Sequence, residues 1–157
     1  MKKQIFTLFI AAVSFTGLQA QNQVKEANVS MSQGSNNALM MELPNTNAEE
    51  TTKAWKKYID QYKNEKNKFD KKTNETFTDN TEIKDMSKNT VDVYAQFKQS
   101  GPNTTMVVWF DLGGAYLSSQ MHPDRFPIAS KIMSAFALTV SRGMVEEELK
   151  AEKKKLE

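Results

Sequence analysis

The sequence predicts an α+β domain in which an antiparallel sheet of about four or five strands carries two helices on one face. Three observations support this prediction. Residues 46–66 repeat apolar side chains at helical spacing, residues 90–112 contain two β-rich runs joined by a Gly-Pro turn, and residues 126–145 form a second helical repeat. Ferredoxin-like, cystatin-like and TBP-like arrangements all fit this order of elements.

The N-terminal segment is typical of a secretory signal peptide. Lys2 and Lys3 precede an apolar run over residues 5–15, and the small residue Ala20 follows this run. The run is too short to span a bilayer as a stable helix. We therefore expect a signal peptide over residues 1–20, cleavage near Ala20, and a mature protein that is periplasmic or secreted.

Charge and cysteine content narrow the function classes. Lys2 and Lys3 account for the formal charge of +2, so the chain after Ala20 is formally neutral. A neutral chain lacks the basic footprint of a nucleic-acid-binding domain, and we expect no nucleic-acid partner. The chain contains no cysteine, which excludes thiol catalysis, cysteine-ligated metals and a lipid-anchored cysteine. No later apolar segment approaches the ~20 residues that a membrane span needs, so we expect no membrane-spanning helix after the signal peptide.

The domain is predicted to begin after a polar stretch. Residues 21–37 are rich in Asn, Gln and Ser, and they predict a flexible N-terminal segment before the α+β domain of residues 38–145. Every second residue over 39–43 is apolar, which predicts a first short strand. Thr46 and Asn47 are both good N-cap residues, and the apolar repeat after them predicts a helix that runs to about Lys66.

The first predicted helix has two chemically different faces. Its aromatic and aliphatic residues share one face at helical spacing and are expected to pack into the core: Trp55, Tyr58, Ile59 and Tyr62. Lysines occupy the remaining surface. They form either a solvated face or a docking site for an anionic surface or ligand, and the candidate interaction residues are Lys53, Lys56, Lys57 and Lys63.

Two β-rich runs predict a hairpin in the middle of the sheet. Residues 90–97 alternate apolar and polar side chains, residues 99–103 contain a Gly-Pro turn, and residues 104–112 are apolar on both faces. The stretch over residues 69–87 predicts only a short strand around residues 76–78.

The last predicted helix changes character along its length. Pro127 suits its first turn, and apolar residues recur on one face up to Met144, so this half of the helix is expected to be buried. Residues 146–157 are instead a charged helical extension in which Leu149 and Leu156 are isolated apolar positions. The helical pattern has no terminal Gly or Asn cap, so this end either frays or continues in a partner or a longer chain. Leu149 and Leu156 are therefore candidate docking residues.

Catalytic chemistry has few candidates. His122 is the single histidine, and Asp124 and Asp111 could join it around a metal in a hydrolase. His-Pro-Asp is also ordinary loop and cap chemistry before a helix, and this interpretation is preferred. No Gly-x-Ser-x-Gly or phosphate-loop motif is present. We therefore predict a non-enzyme with no cofactor.

Four segments of the sequence are similar to segments of a known class of proteins. They are the Gln-Ala-Gln end of the leader, Val-Asp-Val-Tyr-Ala at residues 91–95, the segment from Trp109 to Ser118, and the Lys/Glu-rich helical end. The chain resembles small exported proteins of Bacteroidetes-type Gram-negative bacteria that have no assigned function. The resemblance implies a periplasmic location and transfers no site residues.

Two functions follow as expectations. The first is an exported, non-enzymatic envelope protein that acts by binding or assembly, with the C-terminal helix as its docking or oligomerisation element. Its partner is an unidentified envelope protein or a second copy of the chain. The alternative is a soluble binder of an anionic or amphiphilic ligand that uses the sheet and the lysine-rich first helix.

Overall fold

The computed structural model describes residues 23–156, which form one six-stranded sheet and two helices. The elements are β1 (Lys25–Met31), β2 (Gly34–Leu43), α1 (Ala48–Ile59), β3 (Lys66–Asp70), β4 (Glu75–Thr81), β5 (Val91–Ser100), β6 (Asn103–Asp111) and α2 (Phe126–Lys155). All neighbouring strands are antiparallel, in the order β1-β2-β6-β5-β4-β3. The α+β class is confirmed, and the sheet has six strands instead of four or five. The predicted signal peptide lies outside the described residues.

The first hairpin corrects the N-terminal prediction. Residues 25–37 are not a flexible segment, because β1 pairs with β2 from Lys25↔Met40 to Met31↔Gly34. This strand escapes a search for alternating apolar residues because it has only two half-buried large apolar side chains, Val29 and Met31. Backbone hydrogen bonds and the Glu26 carboxylate, which accepts from Asn37 and Ser119, also hold it in place. Gly34 has a φ of 100°, a left-handed conformation that glycine adopts without strain.

Helix α1 begins as predicted and ends earlier. The Asn47 side chain accepts hydrogen bonds from the backbone N–H groups of Glu49 and Glu50 at 2.9 and 3.1 Å, which confirms the N-cap. The helix ends at Ile59, not at Lys66. The Asn67 amide then donates to the Lys56 carbonyl at 2.9 Å, so that β3 runs back alongside the helix it was expected to extend.

The second half of the sheet is a meander. Residues 69–87, where only one short strand was expected, contain the end of β3 and all of β4. The predicted hairpin is confirmed as β5 and β6, which pair from Ser100↔Asn103 outward. Strand β6 lies between β2 and β5, which confirms its central position. The element order ββαββββα differs from the βαββαβ order of a ferredoxin-like domain.

Both helices pack on the same face of the sheet, as predicted. The rings of Trp55 and Phe136 pack edge to face at a centroid distance of 5.1 Å, and the Tyr58 hydroxyl donates to the Ile132 carbonyl at 3.0 Å. These contacts join α1 to the first half of α2. The buried sheet residues beneath them are Leu39, Met41, Leu43, Val91, Val93, Ala95, Phe97, Met106, Val108 and Phe110.

The β1–β2 hairpin closes the other face of the sheet. The backbone N–H of Ser32, in the hairpin turn, donates to the Glu75 carboxylate on β4 at 2.9 Å. The Trp109 indole donates to the Asn36 carbonyl at 3.3 Å, and Trp109 is fully buried. Because β6 and β5 lie between β2 and β4 in the strand order, the Ser32–Glu75 contact requires the sheet to curl over its own second face.

Helix α2 continues beyond the body of the domain. Its buried residues lie between Ala129 and Ala137, whereas every residue from Val145 to Leu156 is exposed. At ~1.5 Å per residue, the helix from Val145 to Lys155 is about 16 Å long. No helix within residues 23–156 combines the length and the apolar character that crossing a membrane requires.

Candidate interaction surfaces

The first candidate surface is an apolar stripe on α2. Within residues 23–156, six large hydrophobic side chains are exposed; three of them lie on this helix, and a fourth, Leu156, is its C-cap residue. The exposed fractions are 51% for Leu138, 63% for Val145, 55% for Leu149 and 88% for Leu156. We call these four residues the α2 stripe.

The α2 stripe faces away from the core. At ~100° of rotation per residue, its four side chains lie within about 40° of one another, on the side of the helix opposite Phe136. The buried face of α2 already packs on the sheet and on α1, so the stripe has no partner within the described residues. The structure thus brings the predicted Leu149 and Leu156 onto one line with Val145 and Leu138.

Sequence reasoning missed Leu138, because it lies in the half of α2 that was treated as wholly buried. The seven-residue steps from Leu138 to Val145 and from Leu149 to Leu156 are the signal that could have identified it.

The second candidate surface is a basic groove between α1 and the ends of β3 and β5. Its volume is about 730 Å³, which is within the usual range of small-molecule sites. Phe69 and Phe97 supply apolar wall, and Phe69 is 37% exposed. The lysines around it are Lys53, Lys56, Lys71 and Lys98. We call this the lysine groove.

Hydrogen bonds fix both ends of the lysine groove. The Gln99 side chain accepts from the Ala48 backbone N–H at 2.8 Å and donates to the Thr46 carbonyl at 3.0 Å, which ties β5 to the start of α1. Asn67 ties β3 to the end of α1 through the Lys56 carbonyl and the Asp60 carboxylate, at 2.9 and 2.8 Å. The groove is therefore formed by the fold itself before any ligand arrives.

The lysine groove has an excess of positive charge. Lys53 pairs with Glu49 at 2.7 Å, and this hydrogen bond raises the pKa of Lys53. Within the described residues, Lys56, Lys71 and Lys98 have no carboxylate within 4.0 Å. An anion in the groove would therefore not have to displace an ion pair from these three lysines.

The other predicted lysines lie elsewhere. Lys63 pairs with Glu82 at 2.5 Å and lines a separate cleft that also contains Tyr62 and Lys131. Lys57 is exposed on α1 and lines neither cavity. Of the four lysines predicted on the first helix, the groove therefore contains Lys53 and Lys56, and Lys63 lies beyond the end of α1 at Ile59. Lys71, in the β3–β4 turn, belongs to the lysine-rich stretch of residues 53–72 but was not one of the four candidates. Lys98 was not predicted because it reaches the groove from β5.

His122 and Asp111, which were considered as metal ligands only in the less favoured alternative, have structural contacts. The His122 Nδ1 atom accepts a long hydrogen bond, 3.4 Å, from the backbone N–H of Ser118. The Asp111 carboxylate accepts from the backbone N–H of Gly113 at 2.9 Å and so stabilises the bend at Gly113 and Gly114 that follows β6. No group of three or more His, Asp or Glu side chains within residues 23–156 is placed to hold a metal ion.

The sheet face away from the helices holds a closed aromatic cluster. Tyr94 stacks on Phe77 at a centroid distance of 4.7 Å, and Trp109 lies beside them. Burial, reinforced by the Tyr116 phenol and then by nearby carboxylates, raises the pKa of Tyr94 to about 12. Burial also raises the pKa of Asp92, and the charges of Asp79 and Asp111 add to this effect. The β1–β2 hairpin covers the cluster, so Tyr94 and Trp109 are buried and Phe77 is partly buried.

Neither surface has a counterpart from which a function could be transferred. No protein-family model matches the chain. No curated protein and no solved structure matches it either.

Proposed function

We propose that this chain is an exported envelope protein that acts by assembly, without catalysis, and that two copies associate through α2. The α2 stripe carries the proposal, because it concentrates four of the six exposed large hydrophobic side chains on one helix face. Scattered exposed apolar residues are normal on soluble proteins, whereas a contiguous row is typical of an interaction site.

The expected strength of the association follows from the stripe. Each side chain is already partly covered by its own helix, so burying it completely contributes about 1 kcal/mol. Eight such side chains in a symmetric pair contribute roughly 8 kcal/mol, against an association cost of about 4 kcal/mol or more. The pair is therefore weak and reversible, and its population depends on protein concentration.

The proposed location is the periplasm or the exterior of a Gram-negative cell. The signal-peptide pattern of residues 1–20 and the resemblance to exported Bacteroidetes-type proteins support this proposal. Cleavage after Ala20 would leave all eight described elements in the mature chain, because β1 begins at Lys25. Mass spectrometry of the protein from an envelope fraction tests it, and a retained N-terminal Met1 would contradict it.

Light scattering tests the assembly directly. We expect the mass of the mature protein to rise from monomer towards dimer as concentration increases. Deletion of residues 146–157 removes Leu149 and Leu156 from the stripe and should abolish this rise. The core contacts of α2 end before residue 146, so the deletion should leave the thermal unfolding midpoint unchanged. A wild-type protein that stays monomeric at all concentrations would refute the proposal.

A second candidate function rests on the lysine groove. We propose that the groove binds a single-chain anionic amphiphile, with the anion among the lysines and the chain against Phe69 and Phe97. Charge complementarity supports this ligand class, because three of its lysines lack a carboxylate partner within the described residues. Long lysine side chains can also cover apolar surface with their methylene groups.

Fluorescence titration with a dansyl-labelled fatty acid tests this candidate. Lauric acid should displace the probe, whereas the neutral dodecanol should not. Lys56→Gln and Lys98→Gln should each weaken binding about fivefold, the equivalent of roughly 1 kcal/mol. Lys57→Gln is the matched control, because Lys57 lies on the same helix outside the groove. Equal affinity in all three variants would contradict the assignment.

A further inference from the structure

The α2 stripe belongs to a seam whose spacing is the same in both directions. Starting at Leu138, steps of four, three, four, three and four residues reach the last position of the seam. Such alternating steps keep residues on one side of a helix, as in the a and d positions of a coiled coil. All six side chains are exposed: Leu138, Arg142, Val145, Leu149, Glu152 and Leu156.

We infer that two copies pair through this seam in an antiparallel arrangement with a single register. The inference rests on the proposed self-association through α2 and names its geometry. Leu138 of one copy lies against Leu156 of the partner subunit, and Val145 lies against Leu149 of the partner subunit. The two-fold axis then repeats each contact, as a symmetric dimer interface requires.

Charge selects the antiparallel direction. In this register Arg142 lies opposite Glu152 of the partner subunit, so each copy places one cation against one carboxylate. A parallel pair in register would instead set Arg142 against the partner's Arg142 and Glu152 against the partner's Glu152. Like charges directly opposite each other are destabilising, so the parallel pair is disfavoured.

Charge and apolar spacing together select the register. A shift of seven residues in one direction places Arg142 opposite Val145 of the partner subunit and Leu156 opposite Lys131 of the partner subunit. The inferred register is the one that matches every apolar position with an apolar position. Arg142 has no carboxylate within 4.0 Å in the described residues. The exposed pair of Glu152 with Lys155, at 2.6 Å, is of a kind that contributes little and can rearrange.

The position of α2 in the domain suits this arrangement. The core of each domain contacts α2 on the opposite face, between Ala129 and Ala137, so the seam stays accessible. In an antiparallel pair the two domain bodies lie at opposite ends of the helix pair and do not compete for space. Glu146 and Glu148 flank the two-fold axis and face like charges there, which keeps the association weak.

Cysteine pairing tests the register, because the chain contains no cysteine of its own. Leu138→Cys and Leu156→Cys are prepared as separate single-cysteine proteins of the mature chain. Under mild oxidation, an equimolar mixture should form a disulfide-linked heterodimer, since these positions face each other across the pair. Either variant alone should form almost none, because like positions are about 27 Å apart in this register, beyond disulfide reach.

Three outcomes would overturn the inferred geometry. Two of them would leave the proposed self-association standing, and the third would refute both. Rapid cross-linking of Leu156→Cys alone would show a parallel pair, and a dimer without mixed cross-links would show another register. Both would leave the self-association intact. A protein that is monomeric by light scattering would refute both proposals together.

Charge exchange provides a second test that needs no cysteine. Arg142→Glu alone and Glu152→Arg alone should each weaken the dimer at least fivefold, and the double variant should restore it. Lys154→Glu is the matched control. Lys154 lies on the helix face opposite the seam, so this substitution should leave the affinity unchanged. A double variant that is as weak as either single variant would contradict the inferred pairing.

Discussion

Replacing Glu75 by alanine tests how the second face of the sheet is closed. The Glu75 side chain is almost fully buried, and its Oε1 atom accepts from the Ser32 backbone N–H at 2.9 Å and from the Gln96 amide at 3.0 Å. Glu75→Ala leaves both donors without this acceptor. Leaving the partly exposed Ser32 N–H without an acceptor lowers the free energy of unfolding by about 1 kcal/mol. Leaving the buried Gln96 amide without one lowers it by about 1–2 kcal/mol. The expected loss is therefore about 2–3 kcal/mol.

Thermal unfolding with hydrogen exchange measures this loss. For a domain of this size we expect the midpoint to fall by roughly 8 °C. Exchange of the β1 backbone amides should accelerate more than exchange of the β5 amides, because the hairpin loses its attachment to β4. Glu75→Gln keeps an acceptor oxygen at the same position and should lose less than half as much. A Glu75→Ala protein as stable as wild type, with β1 exchange unchanged, would refute the proposed role of this contact.

Three smaller substitutions test other parts of the fold. Asn47→Ala removes the N-cap of α1 and should lower stability by about 1 kcal/mol in chemical denaturation, whereas Asn47→Asp should restore it. Asp92→Asn should raise the unfolding midpoint at neutral pH, because the folded protein raises the pKa of Asp92 and so disfavours its charged form. This gain should shrink as the pH falls through the folded pKa; a constant gain would contradict the electrostatic cause. Tyr94, with a pKa raised from 10.0 to about 12, should make wild type lose stability as the pH rises through that interval, a loss that Tyr94→Phe should reduce. Equal alkaline profiles would show that Tyr94 is not responsible.

The regular parts of the fold were predictable because their side chains repeat at a fixed period. Residues 91–111 have apolar alternation and a Gly-Pro turn, and the structure places them as β5 and β6 in the middle of the sheet. The apolar face of α2 likewise predicted a buried helix. In these elements burial on one or both faces determines the sequence, so the sequence pattern reports the structure.

The edge strands were not predictable because they are too exposed for burial to impose a repeating pattern on their sequence. Strand β3 reads Lys-Asn-Lys-Phe-Asp and is almost wholly exposed, so its sequence follows no burial pattern. Lysines on an edge strand also discourage pairing with other chains. The helical repeat of α1 appeared to continue because Tyr62 packs against the core from the turn after the helix, at a position that helical spacing also fits.

The candidate surfaces likewise combine residues that a local sequence pattern predicts with residues that only the tertiary structure brings together. Lys53 and Lys56 were predicted because they lie on one helix whose faces can be read from spacing. Lys71 lies in the same lysine-rich stretch, but tertiary structure brings it to the groove, and Lys98 joins from β5, which no local pattern reports. On α2, Leu149 and Leu156 were predicted from the contrast with their charged neighbours, whereas Leu138 requires knowledge of which helix face the core occupies.

The dimer affinity of Leu149→Ala tests the central claim most directly. The substitution keeps helix propensity and removes apolar surface worth about 1 kcal/mol from each copy, so the pair loses about 2 kcal/mol. Sedimentation equilibrium should therefore show dissociation about thirtyfold weaker than wild type. Met121→Ala, at a site that is 71% exposed outside the stripe, should leave the affinity unchanged. Equal dimer affinity for Leu149→Ala and wild type would contradict assembly through the α2 stripe.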